Sequence, residues 1–219
     1  MNNSGSRRRY IVPLVVFAIA LVVGVTRTDL GWAVSPQAIK VNRGTNIAAT
    51  VSPDQSTIVF DLQGVLWSLP ISGGTATPLT QPLLEPARPD YAPGGGFIAF
   101  EAYAGGTFHI WAMGMGADGG NSPRQLTSGH ADDRDPRVSP DGAKIAYSSD
   151  NAVFGSNYTI RVLDLAAGSS TTVVSDTASD AFEPTWSPDG GTIAFVRGTG
   201  ATGTRSRRCR LTAAHAPRW

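Results

Sequence analysis

A single cysteine, Cys209, is all the thiol chemistry in this chain, so no intramolecular disulfide is available to close a loop. No cysteine follows the apolar run near the N-terminus, which excludes a lipoprotein anchor. Histidine is nearly as scarce, at three residues, and the sequence has no His-x-His pair, no His-Glu-x-x-His and no Gly-x-Ser-x-Gly elbow. These absences leave no amidohydrolase metal centre and no serine-hydrolase nucleophile, so no catalytic residue is assigned. His109 alternates with Phe108 and Ile110 on a predicted strand and is expected to be a surface or partly buried residue, while His130 falls in a loop and His215 in the C-terminal tail. Gly114-Met115-Gly116-Ala117-Asp118-Gly119 spells a dinucleotide fingerprint, but Asn121-Ser122-Pro123 follows where that fingerprint needs a helix N-terminus. No cofactor is expected.

Charged residues are few, 16% of the chain, and unevenly placed. Residues 37–197 hold nine Lys or Arg against sixteen Asp or Glu, a net of −7, whereas the two tails carry nine arginines against Asp29 alone. An acidic body offers no footprint for a phosphate backbone, which excludes a nucleic-acid partner. Glycine and proline, by contrast, are plentiful at 25 and 15, in keeping with many turns.

Those turns repeat. Trp186-Ser187-Pro188-Asp189-Gly190 has close copies at Val51-Ser52-Pro53-Asp54-Gln55, Tyr91-Ala92-Pro93-Gly94-Gly95 and Val138-Ser139-Pro140-Asp141-Gly142, with the prolines 40, 47 and 48 residues apart. Proline pre-sets φ in a tight turn, Ser and Asp bind neighbouring amides, and Gly accepts the positive φ that ends it. Each corner is followed by a β-branched and aromatic run: Thr57 to Phe60, Phe97 to Phe100, Lys144 to Tyr147 and Thr192 to Phe195. A third run covers Val65 to Leu69, Phe108 to Met113 and Tyr158 to Asp164, and a fourth ends in Leu79-Thr80, Leu126-Thr127 and Val173-Val174. The innermost run precedes each corner and is expected to start at Pro89, Pro136 and Pro184. Four antiparallel strands per period of about 40–50 residues make one propeller blade.

The Ser-Pro-Asp-Gly corner, the Ile-Ala-Phe strand and the Leu-Thr ending resemble the TolB-type propeller repeats, over about Val41 to Arg197. The opening segment, Gly44 to Ile47 through Leu66 to Pro70 with Gly73-Gly74, is similar to propellers that precede an amidohydrolase domain in secreted chains. Two corners depart from the pattern. Gln55 replaces Gly in the first, and Ala92 with Gly94 replaces Ser and Asp in the second, which must rely on glycine flexibility.

The predicted fold is all-β: a propeller of four-stranded antiparallel blades over residues 34–198, incomplete at about three and a half blades, preceded by a signal or anchor helix. The fourth blade supplies only Glu183 to Trp186 and Thr192 to Arg197, so the sequence reads as a truncated ring whose product is marginal or aggregation-prone. Closure by Ala38 to Val41, or pairing of two arcs, is disfavoured by the missing strands. Residues 1–33 read as a signal peptide or membrane anchor, because Arg7-Arg8-Arg9 precede an apolar run from Ile11 to Val25 and Gly31-Trp32-Ala33 offers a cleavage site. Ser6 to Ile11 also resembles a twin-arginine signal. Residues 199–219 carry Arg205, Arg207, Arg208, Arg210 and Arg218 and read as a basic, disordered tail.

One polar cluster stands out. The loop His130 to Asp135 leads into an inner strand near the mouth of the channel, and Glu183 occupies the place of Asp135 one blade on. Carboxylates meeting there would suit a hard cation such as calcium, which takes six to eight oxygens. The competing reading has Asp135 and Glu183 capping turns and pairing with Arg134 and Arg137, and Arg88 fills the same place in the second blade. The resemblance implies a non-catalytic, exported scaffold that contacts a protein partner through loops at one face, with any membrane contact limited to an uncleaved N-terminal segment. The alternative is the leading propeller of a secreted amidohydrolase or a prolyl-oligopeptidase-like peptidase.

Overall fold

The computed structural model describes residues 46–116, 122–150, 152, 157–175 and 179–199, together with the backbone of 210–215. The signal or anchor segment, Ala38 to Val41, Cys209 and most of the basic tail lie outside the described residues. None of the described helices is long and apolar enough to cross a membrane.

Among the described residues, fifteen strands form four antiparallel meanders in chain order. Blade 1 is β1 (Ala49–Val51), β2 (Thr57–Leu62), β3 (Val65–Pro70) and β4 (Thr77–Pro78), and a short 3₁₀ turn, Pro82–Leu84, leads to the next. Blade 2 is β5 (Ala87–Tyr91), β6 (Phe97–Ala104), β7 (Thr107–Gly114) and β8 (Arg124–Gln125). Blade 3 is β9 (Asp133–Val138), β10 (Lys144–Ser149), β11 (Thr159–Asp164) and β12 (Ser169–Val174). Blade 4 holds β13 (Ser179–Trp186), β14 (Thr192–Thr199) and β15 (Arg210–His215).

The third strand of blade 4 corrects the expectation of a structureless tail over 210–215. Residues 210–215 run antiparallel along β14 in continuous register, from Thr192 opposite His215 to Arg197 opposite Arg210. An open strand edge recruits a partner through its main chain, so a segment without apolar alternation still adds a strand there.

The corners form as the residue types dictate. Ser52, Ser139 and Ser187 each donate Oγ–H to Oδ1 of the Asp two residues on, at 2.5 Å. The serine Oγ atoms in turn accept Thr57, Lys144 and Thr192 N–H at 3.0, 2.9 and 2.9 Å. Ala92 and Gly94 remove those side-chain bonds from the second corner, yet its backbone pair survives, with Ala92 N–H on Phe97 O at 2.9 Å and Gly95 N–H on Ala92 O at 2.8 Å. The closing position is left-handed in all four corners, at φ 59° for Gln55 and 71°, 73° and 68° for Gly95, Gly142 and Gly190. The Leu-Thr endings lie just past the fourth strands. Thr80 and Thr127 Oγ1 accept Leu66 and Ile110 N–H at 2.9 and 3.0 Å, tying the end of each blade to its third strand.

Among the described residues, three apolar cores hold the four blades side by side. Val59 and Leu66 of blade 1 pack on Ile98, Phe100 and Met113 of blade 2. Ala99 and Ile110 of blade 2 pack on Ile145 and Tyr147 of blade 3, and Ala146, Ile160 and Val162 of blade 3 pack on Ile193 and Phe195 of blade 4. The Ile and aromatic positions of each strand therefore face the preceding blade, while the Ala or Val between them faces the following one. Period-2 alternation produces this two-sided burial directly.

Pro89, Pro136 and Pro184 do not begin their strands as expected. They lie inside β5, β9 and β13, at bulges where the ladder register shifts between Ala87 and Asp90, between Arg134 and Arg137, and between Phe182 and Thr185. A bulge needs no ladder donor at that point, which removes the objection to proline within a strand.

Candidate functional site

The residue before each of those prolines takes a backbone conformation that L-residues avoid. Arg88, Asp135 and Glu183 have φ of 53°, 56° and 51°. Left-handed backbone at a non-glycine residue costs about 1–3 kcal/mol and persists only where its surroundings over-determine it. Carboxylates supply that determination. Asp61 Oδ2 accepts Arg88 N–H at 2.7 Å, Glu101 Oε2 accepts Asp135 N–H at 2.8 Å, and Asp135 Oδ2 accepts Glu183 N–H at 3.3 Å. In the first two seams the acceptor stands on the second strand of the preceding blade. In the third, Ser148 occupies that place and donates to Asp135 Oδ2 at 3.0 Å, so Asp135 itself reaches blade 4.

The same backbone turn brings three side chains from three blades together. Arg88 Nη1 lies 2.9 Å from Asp135 Oδ1 and 3.3 Å from Glu183 Oε1, and its Nε lies 3.9 Å from Glu101 Oε1. Burial works to lower the Arg88 pKa, but the charges of Asp135, Glu101 and Glu183 outweigh it and raise it. Glu101 is held above the usual carboxylate range, chiefly by burial and despite the Asp135 N–H. Asp135 and Glu183 thus converge as the sequence suggests. The group between them is the guanidinium of Arg88, not of Arg134 or Arg137. The described residues contain no set of three His, Cys, Asp or Glu able to hold a metal ion.

Arg134 and Arg137 have other partners. Arg134 Nε donates to Asp132 Oδ2 at 2.8 Å, and its guanidinium lies over the Phe108 ring, 3.8 Å from the centroid. Asp132 also receives Tyr158 Oη–H at 2.5 Å. Its own burial opposes ionisation, yet these donors prevail and its pKa falls, while that of Tyr158 is raised by its burial and by Asp132. Arg137 Nη1 donates to Pro136 O at 3.0 Å.

Further bonds join neighbouring blades. Asp90 Oδ2 accepts Val138 N–H at 2.7 Å, Thr50 Oγ1 accepts Tyr91 N–H at 3.2 Å, and Arg137 O accepts Trp186 Nε1–H at 3.0 Å. The three acceptors stand at one repeat position, and only the recurrence of a polar residue three before each corner proline in blades 1 to 3 hinted at them. His109 is fully buried at 4% exposure, not at the surface, with Nε2 3.1 Å from Thr107 Oγ1. It sits near buried Asp133, whose pKa is raised, mainly by burial.

A cleft of about 510 Å³ opens beside this cluster, lined by Asp61, Glu85 and Glu101 with Gln63, Pro86 and Phe108 among others. Its loops carry further left-handed residues, Gln63 and Glu85 at φ 52° and 43°.

Residues 33–207 match the family model described as the TolB beta propeller domain. An uncharacterized protein of Agrobacterium fabrum is 30% identical over 151 residues, 64% of this chain and 47% of that protein. The chain therefore spans about half the length of this curated relative. Among solved structures, TolB from Acinetobacter baumannii matches with a TM-score of 0.59 at 22% identity, covering 76% of this chain and 40% of that one. A putative TolB from Agrobacterium tumefaciens matches at 0.56 and 19% identity, covering 76% and 74%. A puromycin-hydrolyzing peptidase of Mycobacterium tuberculosis matches at 0.59 and 17% identity, covering 75% and 27%. These structures share the fold.

Proposed function

The chain belongs to the TolB beta propeller domain family, and from that premise we propose that it is a non-catalytic, exported module that binds a protein partner or acts as a scaffold through loops at one face of its blades. The observation that carries this reading is the Arg88 cluster. Its guanidinium pairs with the carboxylates of Glu101, Asp135 and Glu183 and ties blades 2, 3 and 4 together, which supports a platform that presents its loops to a partner. The apolar run from Ile11 to Val25 behind an arginine cluster supports a periplasmic or secreted location, or anchoring in the inner membrane if the segment is retained. Cell fractionation with alkaline carbonate extraction separates these outcomes, and a cytoplasmic product refutes export. Purified chain is expected to leave aryl ester, aminoacyl anilide and cyclic amide substrates at buffer rates. Turnover abolished by a point substitution in this chain would end the non-catalytic reading.

A second reading has one observation in its favour. The likeness to a puromycin-hydrolyzing peptidase, of which this chain spans 27%, supports a propeller that accompanies a hydrolase domain, of peptidase or amidohydrolase type. Sequencing the gene past the codon for Trp219 distinguishes the two. Resumed blade strands followed by histidine metal motifs or a nucleophile elbow favour the hydrolase.

A further inference from the structure

We infer that the acidic cleft between blades 1 and 2 docks an extended, basic segment of a partner protein, one Lys or Arg entering the cleft while its apolar neighbours rest on the rim. This rests on the reading of the module as a protein binder and gives that role a face and a chemistry. The cleft, at about 510 Å³, lies in the range of small-ligand pockets and admits a few side chains, not a folded domain. Asp61, Glu85 and Glu101 line it, and none of the described lining residues is Lys, Arg or His.

Glu101 supplies the attracting atom. Its side chain is 4% exposed and its Oε2 accepts the Asp135 N–H, but among the described residues Oε1 has no hydrogen-bond donor. Arg88 Nε at 3.9 Å and Arg134 Nη1 at 3.8 Å approach it and stay beyond hydrogen-bond distance. Both guanidiniums make their close contacts elsewhere, with Asp135 at 2.9 Å and with Asp132 at 2.8 Å. Burial raises the pKa of Glu101, and a cation arriving through the cleft favours its ionised form.

The rim is apolar. Leu83, on the 3₁₀ turn between the lining residues Pro82 and Glu85, is 90% exposed. The Glu85 N–H on Pro82 O at 3.2 Å closes that turn and fixes how Leu83 is presented. Ile47, next to Asn46 in the lining, is exposed as well, and so is Tyr103, which meets the lining Phe108 edge-on with ring centroids 5.3 Å apart. Large apolar side chains exposed together around a polar floor mark an interaction site. The floor selects the occupant: it repels an anionic lipid surface, and a wholly apolar partner would bury its carboxylates unpaired. A basic side chain flanked by apolar ones satisfies floor and rim together.

Fluorescence anisotropy on the full chain tests this with a short, labelled, acetylated peptide that sets one arginine between leucines, and with its citrulline counterpart. The arginine peptide should bind saturably, more weakly as salt rises and about tenfold more tightly than the citrulline peptide. Equal affinities, or no binding, overturn the inference. Leu83→Ser and Glu85→Lys, both at exposed positions, should each weaken binding about tenfold. Ile71→Ser, exposed on the corner side where the Ile71 N–H meets Ser56 O, should leave it unchanged. The same effect in all three variants overturns the assignment to this cleft. Binding that appears only once Lys40 and Arg43 are replaced by serine would mean that the chain's own basic stretch is the occupant, and overturns it too. A photo-crosslinking residue at Ile71 that captures a protein in cells, with no peptide bound at the cleft, keeps the partner-binding role and overturns this surface alone.

Discussion

Asp135 in blade 3 donates its backbone N–H to Glu101 Oε2 in blade 2 across 2.8 Å, while its own side chain receives the backbone N–H of Glu183 in blade 4 at 3.3 Å. One residue thus joins two seams, in a left-handed conformation that proline alone would not impose. The seams, as much as the ladders, hold the blades in order.

Glu101→Ala should cost about 1–3 kcal/mol, because it leaves the buried Asp135 N–H without its acceptor. Glu101→Gln keeps an acceptor and should lose markedly less. Urea midpoints for the two variants check the seam bond; equal, near-zero effects would reduce it to a bystander.

Gln55→Gly should stabilise the chain by about 0.5–1 kcal/mol, because relief of left-handed strain outweighs the extra unfolded-state freedom of glycine. Ser139→Ala should cost about 1 kcal/mol, since its hydroxyl serves both Asp141 and the Lys144 amide. Thermal unfolding of the two variants should therefore shift in opposite directions.

Burial raises the Asp90 pKa, with the Val138 N–H and the charge of Arg137 opposing it, so the folded state holds the proton more tightly than the unfolded chain. The resulting stabilisation is present in full below the unfolded value near 3.8 and is lost as pH rises through the folded pKa. Asp90→Asn removes this dependence while leaving an oxygen to accept the Val138 amide. Relative to wild type, the variant should gain stability at neutral pH, and the gap should close toward pH 4. A gap that is constant with pH would show that Asp90 does not titrate differently on folding.

Calcium addition should leave the unfolding temperature of wild type unchanged, since the Arg88 guanidinium already lies 2.9 Å from Asp135 and would repel a second cation. A calcium shift that disappears in a variant carrying Asp135→Ala and Glu183→Ala would instead give these residues the cation-holding role.

The blades were legible because their signals are local. Corner residues fix their own turn through bonds spanning two to five residues, and alternation along Lys144 to Tyr147 marks two buried faces without reference to any neighbour. What could not be read depends on the next blade. Nothing near Arg88 announces that its amide will meet Asp61 27 positions upstream, or that its guanidinium will meet Glu183 95 positions downstream. His109 differs from expectation for the same reason: it alternates with Phe108 and Ile110, and its burial depends on packing beyond its own strand, with Asp133 nearby. The strand at 210–215 carries no signal of its own because main-chain pairing to β14 needs no side-chain pattern.

The left-handed residue ahead of each inner proline has one more implication. Its amide is fixed by the neighbouring blade, so its side chain is delivered to one shared cluster: cationic in Arg88, anionic in Asp135 and Glu183. Arg88 and Glu183 accept no seam bond themselves, so the charge they bring to that cluster can be rewritten one letter per blade, whereas Asp135 is held in place by the Glu183 amide.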